Sequence, residues 1–135
     1  MKSKLLLIGT ILLASQAHAA VINIGGQCTL VRAIDVANND RTARGRCTQG
    51  NGADMVVLPA STLFLLKTVN NNALGPVGLP VIRTPITING NGSTIKRDSK
   101  APAFTLVVVA SGGTLTANNI KITGATNSFD AAIST

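Results

Sequence analysis

The chain has 135 residues, a length that suits one domain, and its hydrophobic share of 45% against 13% charged excludes a charged disordered tail. Aromatics are 2%, with neither Trp nor Tyr, so modules that stack bases or sugars on rings are disfavoured. Twelve basic residues face five acids, giving a net charge of +7, and every acid is Asp, so no site can be built on Glu.

The N-terminus carries a tripartite leader pattern. Lys2 and Lys4 make a positive start, Leu5 to Ala14 is an almost unbroken apolar run, and Ala17-His18-Ala19 is a small-x-small cleavage site. The apolar run is too short for a membrane-spanning helix, which needs about 20 residues. A buried core helix is the competing reading, but the basic start and the A-x-A ending favour a signal peptide over residues 1–19. Cleavage leaves 116 residues beginning at Ala20, with net charge +5 and no membrane span. It also removes His18, the sole histidine. Ser-His-Asp triads, Cys-His pairs and the usual zinc sites are then absent from the mature chain. Cys28 and Cys47 both lie in the exported part, and an even count in an exported chain predicts a disulfide. A metal pair is the weaker alternative, since two thiolates make an incomplete site.

Residues 20–53 carry the one short segment of helical period in the mature chain. Leu30, Ala33, Ile34 and Ala37 fall at i, i+3, i+4 and i+7, one apolar stripe of a short helix. Thr29 is its expected N-cap and Asn38-Asn39 its stop. Two to three turns are marginal alone, so the stripe must dock on something.

From residue 54 to residue 135 the period becomes two. Met55 to Leu58, Thr62 to Leu66, Ile86 to Ile88, Ser93 to Ile95, Phe104 to Val109 and Ile120 to Thr123 read as short strands. Phe104, Leu106 and Val108 are expected on one face, with Thr105, Val107 and Val109 on the other. Asn89, Asn91, Asn118 and Asn119 read as corner residues. Asp54 to Pro59 aligns with Pro85 to Gly90, 31 residues on, and Ile86 to Gly90 aligns with Ile120 to Gly124, 34 residues on. Short strands, tight corners and a near-fixed period suggest stacked coils, although an ordinary small sandwich also alternates.

Cys28-Thr29-Leu30-Val31-Arg32-Ala33-Ile34, followed by Ala37-Asn38, resembles the Cys-Ser-Leu-Arg-Glu-Ala-Ile cap motif of secreted, pectin-lyase-like parallel β-helix proteins. The resemblance continues through Gly78 to Ile82, Ile86 to Ile95, Gly113 to Thr116 and Asn118 to Gly124, in the family's order. It implies an all-β fold, a right-handed single-stranded parallel β-helix of which these are the first coils, with a short capping helix at the N-terminal end. Two departures weaken the cap. Val31-Arg32 replaces the family's Arg-Glu pair, which removes a capping box, and Arg32 sets a positive charge against the helix dipole.

Polysaccharide-cleaving members of that family use clustered acids and bases on an exposed face. Here Asp35, Asp40, Asp54, Asp98 and Asp130 are spread widely, and the best cluster is Asp98 with Lys96, Arg97 and Lys100. A lyase needs a base beside a cation, but a solvated loop is the preferred reading of that stretch, and a turn role that of Asp54. Arg41, Arg44 and Arg46 can form one patch for an anionic ligand in the loop between the cysteines, or simply keep the loop solvated. Asn91-Gly92-Ser93 matches a glycosylation acceptor that has meaning only in a eukaryotic secretory pathway.

The sequence thus predicts a secreted, periplasmic or cell-surface β-helix segment, the N-terminal part of a longer protein acting as scaffold or adhesion-type binding module. A lyase or hydrolase of the same fold is the alternative. No catalytic residue, cofactor or metal is assigned. The expected partners are a polysaccharide or anionic surface glycan, or a second copy joined edge to edge, and not nucleic acid.

Overall fold

The computed structural model describes residues 19–40 and 46–125, together with the backbone of residues 131–133. The leader up to His18, and Arg41, Arg44 and Asp130, lie outside the described residues.

The elements run β1 (Val21–Asn23), α1 (Leu30–Asn39), β2 (Asp54–Val57), β3 (Leu63–Leu66), β4 (Pro85–Arg97), β5 (Val107–Val109), β6 (Thr114–Thr123) and β7 (Ala131–Ile133). Every strand pairing among them is parallel. The chain winds into a parallel β-helix of about three turns. One face stacks β1, β2, the first half of β4 and the first half of β6. A second stacks β3 and the second halves of β4 and β6. The third links Val77 with Thr105, Ile82 with Val109, and β5 with β7.

Inward side chains form ladders along the stack. Ile22, Val56 and Ile88 are in register, as are Phe64, Ile95 and Ile122. Ile22, Val56, Ile88 and Ile95 are fully buried. Each such side chain contributes about 1.5–3 kcal/mol, so the ladder is the main cohesive term of the turns.

The register corrects the sequence repeat. Asp54 pairs with Ile86 rather than Pro85, and Ile86 with Leu115 rather than Ile120. Ile120 to Thr123 instead lies on Ser93 to Lys96. A slip of one residue would turn Val56 outward, so burial of the aliphatic positions selects the observed pairing. The stretch from Ile86 to Ile95, expected as two strands and a turn, is one strand with an internal corner at Asn91 (φ 49°) and Gly92 (φ 80°). Ile86, Ile88 and Gly90 are buried before the corner, and Ser93 and Ile95 after it. The two left-handed residues shift the inward phase from even to odd positions.

Val107, Val108 and Val109 are all buried, which corrects the expected in-and-out alternation there. Leu106, Val107 and Val109 join the main core, while Val108 packs into a second small cluster with Val77, Val81 and Ala110.

The helix forms where predicted. Thr29 caps it, its side chain accepting from the Arg32 N–H at 3.2 Å, and Asp40 closes it in the left-handed conformation. Its buried residues are the predicted stripe plus Val36. They join Ile22, Val56, Leu58 and Ile82 in one core, so α1 closes one end of the stack. The Arg32 guanidinium turns back to the Gln27 carbonyl at 2.9 Å. No described helix is long and apolar enough to cross a membrane.

Candidate functional site

The two cysteines meet as predicted. Cys28 and Cys47 are bonded at 2.04 Å with Cα atoms 4.7 Å apart, and both are buried. The bond ties the start of α1 to the end of the loop that leaves it. Of the three arginines expected to form an anionic patch, only Arg46 is described; it is exposed and left-handed (φ 64°), next to Cys47.

The Lys96–Lys100 stretch is not a solvated loop throughout. Lys96 and Arg97 belong to β4, and Arg97 is committed to structure. Its Nε donates to the Gly124 carbonyl at 2.9 Å, and its Nη1 to the carbonyls of Ala101 (2.7 Å), Asp98 (3.0 Å) and Pro102 (3.3 Å). The guanidinium carbon also lies 6.0 Å from the centroid of the Phe104 ring. Asp98 accepts from the Lys100 N–H at 2.9 Å and so shapes its own turn. The sequence missed this because a run of charges reads as solvated until the carbonyls that gather around one of them are known.

Three other acids also carry structural bonds. Asp40 accepts from the Gly52 N–H at 3.0 Å, and Asp35 from the Asn39 side chain at 3.2 Å. Asp54 accepts from the Asn51 N–H at 2.8 Å, the turn role expected of it, and also from the Ala20 N–H at 3.0 Å. No group of three His, Cys, Asp or Glu able to hold a metal occurs among the described residues.

The candidate binding site is a groove of about 320 Å³ between α1 and the first turn, lined by Asp35, Asn38, Asn39, Asn70, Asn71, Pro80 and Arg83. Its walls are built by asparagine amides that stand in for backbone partners. Asn38 donates to the Val81 carbonyl at 2.8 Å and accepts from the Arg83 N–H at 2.8 Å, clamping the helix to the first turn. Asn71 donates to the Leu79 carbonyl at 3.2 Å and accepts from the Ala73 N–H at 3.2 Å. The Asn70 and Asn71 backbones bond Val77, at 2.7 Å for the Asn70 N–H, which folds this segment back beside the cap.

The charged residues that line the groove are Asp35 and Arg83, both exposed. Amide and carboxylate groups suit sugar hydroxyls, and a guanidinium suits a carboxylate or sulfate. The sequence reading missed this groove. Its trace was the run Asn70-Asn71-Asn72, a polar stretch between two strands, but nothing in the run placed it beside Asn38 and Arg83.

In comparisons with known proteins, no protein family, no curated protein and no solved structure matches this chain.

Proposed function

We propose that the chain is an exported β-helix segment, the capped first turns of a longer stack, that acts as a surface or adhesion-type binding module for an acidic polysaccharide. The observation that carries this reading is the amide-walled groove between α1 and the first turn, with Arg83 as its cation. The leader pattern and the buried Cys28–Cys47 bond support an oxidising destination outside the cytoplasm. The cap-motif resemblance supports the same placement among secreted, pectin-lyase-like β-helix proteins.

Binding of the chain from Ala20 to Thr135 to polygalacturonate, with neutral dextran as control, tests the reading. Arg83→Ala should weaken polygalacturonate binding by about tenfold, the size of one charge-assisted hydrogen bond. Equal binding to both polymers, or an Arg83→Ala variant that binds as the parent does, would refute it. The enzymatic alternative draws on the same groove, which holds a potential base, Asp35, and a cation, Arg83. Release of unsaturated or reducing ends from polygalacturonate, abolished by Asp35→Asn, would favour a lyase or hydrolase over a binding module.

A further inference from the structure

Asp54 stands where the fold calls for an apolar residue. It is 2% exposed, at the entry of β2, in the column that continues through Ile86 and Leu115. Its Oδ1 accepts from the Asn51 and Ala20 N–H groups, but its Oδ2 is covered and has no hydrogen-bond partner among the described residues. The cover is close: a Cβ on Gly50 would lie 2.8 Å from Oδ2 and 2.5 Å from the Val36 carbonyl. No lysine or arginine among the described residues forms an ion pair with Asp54. A buried carboxylate without a counter-charge and with one oxygen unmatched is costly, and native structures rarely keep one without a reason.

The group that touches it supplies the reason. Ala20, whose nitrogen lies 3.0 Å from Oδ1, directly follows the Ala17-His18-Ala19 cleavage pattern. Its carbonyl accepts from the Met55 N–H at 2.9 Å, so its backbone is anchored on β2 from both sides. Ala19 is exposed and Ala20 half-buried.

We infer that leader removal completes the fold, because the α-ammonium released at Ala20 is the counter-charge of Asp54. This rests on the export reading, since it needs cleavage after Ala19. Water adds across the Ala19–Ala20 amide: Ala19 leaves as a carboxylate, and the Ala20 nitrogen takes up a proton to become an ammonium. One N–H hydrogen becomes three, and a neutral donor becomes a cation beside a carboxylate that has one oxygen to spare. Leader-bearing chain holds Asp54 with the neutral amides of Ala20 and Asn51 alone, so the cap is tightened only after export.

Four preparations test the pairing, compared by denaturant unfolding at equal protein concentration. These are the chain from Ala20 with a free amine, the same chain Nα-acetylated at Ala20, and both again with Asp54→Asn. Acetylation keeps an N–H and removes the charge. The free-amine chain should have a folded-to-unfolded ratio about tenfold higher than the acetylated one, and Asp54→Asn should abolish the difference. Equal ratios, or a difference that survives Asp54→Asn, overturn the pairing.

Should the Asn variant fail to fold, the reaction rate of the Ala20 amine with an acylating reagent decides the question. About tenfold protection relative to the denatured chain supports the pair, and denatured-like reactivity overturns it. N-terminal sequencing of exported protein tests the processing step separately. A start at Ala20 supports it. A start elsewhere overturns it without touching the stability comparison, so the two failures are told apart.

Discussion

Ser61, Asn91 and Asn119 take the left-handed conformation at φ 49°, 49° and 51° and form one corner repeated over successive turns. Asn91 steadies the corner by donating to the Leu58 carbonyl at 2.7 Å and accepting at its own carbonyl from the Ser61 N–H at 3.1 Å. Asparagine tolerates this region because its short amide bonds locally, which is why a corner at these asparagines was legible. Which asparagine turns was not. Asn89 and Asn118 are extended and pair in register, because the corner is placed by the inward phase of Ile88, Gly90 and Ser93. Gly90 is fixed by proximity: a Cβ there would lie 2.4 Å from that of Ile120 and 2.6 Å from the Asn119 carbonyl. Gly90→Ala should therefore push the third turn off the second and cost about 2–3 kcal/mol, read as a lower urea midpoint. Gly25→Ala, with nothing within 4 Å of the added carbon, should stay within about 0.5 kcal/mol of the parent.

Among the elements, α1 was the most legible, because its period, cap and stop are local. Val36 was missed as a buried residue because the helix plugs the end of the stack and is covered over more than its stripe. β1 was missed because three residues show too little alternation to be read, yet Ile22 at its centre is fully buried. Pairings were the least legible, since a turn of the stack varies in length and a fixed repeat cannot follow it. The Cys28–Cys47 bond binds the legible helix to its exit loop. Across a sequence separation of 19 it should stabilise the cap by about 3 kcal/mol in the chain-entropy model. The double variant Cys28→Ala/Cys47→Ala should lose about that much in urea unfolding. Thiol titration of the denatured, non-reduced parent should find no free thiol, and two would refute the bond.

Among the described residues the stack is closed by α1 at one end and has β6 as the last strand of its main sheet at the other. Beneath α1 the aliphatic ladder is sealed, with Ile86, Ile88 and Ile95 at 2%, 0% and 0% exposure. In the third turn Leu115, Ile120 and Ile122 lie in register on Ile86, Ser93 and Ile95 but are only half-buried. Among the described residues β6 pairs with β4 alone, so its outer edge has no strand partner there. Such an edge templates further parallel pairing. In a solenoid each turn buries its interior only against its neighbours, so a half-buried ladder can take a further turn or the edge of a second copy. The chain from Ala20 to Thr135, purified alone, is therefore expected to self-associate with rising concentration on light scattering. Lysines at Ile120 and Ile122, on the open side of the ladder, should shift it to monomer while the capped turns keep their far-ultraviolet strand signal. Parent chain that stays monomeric and melts in one sharp transition would show that the third turn needs no cover.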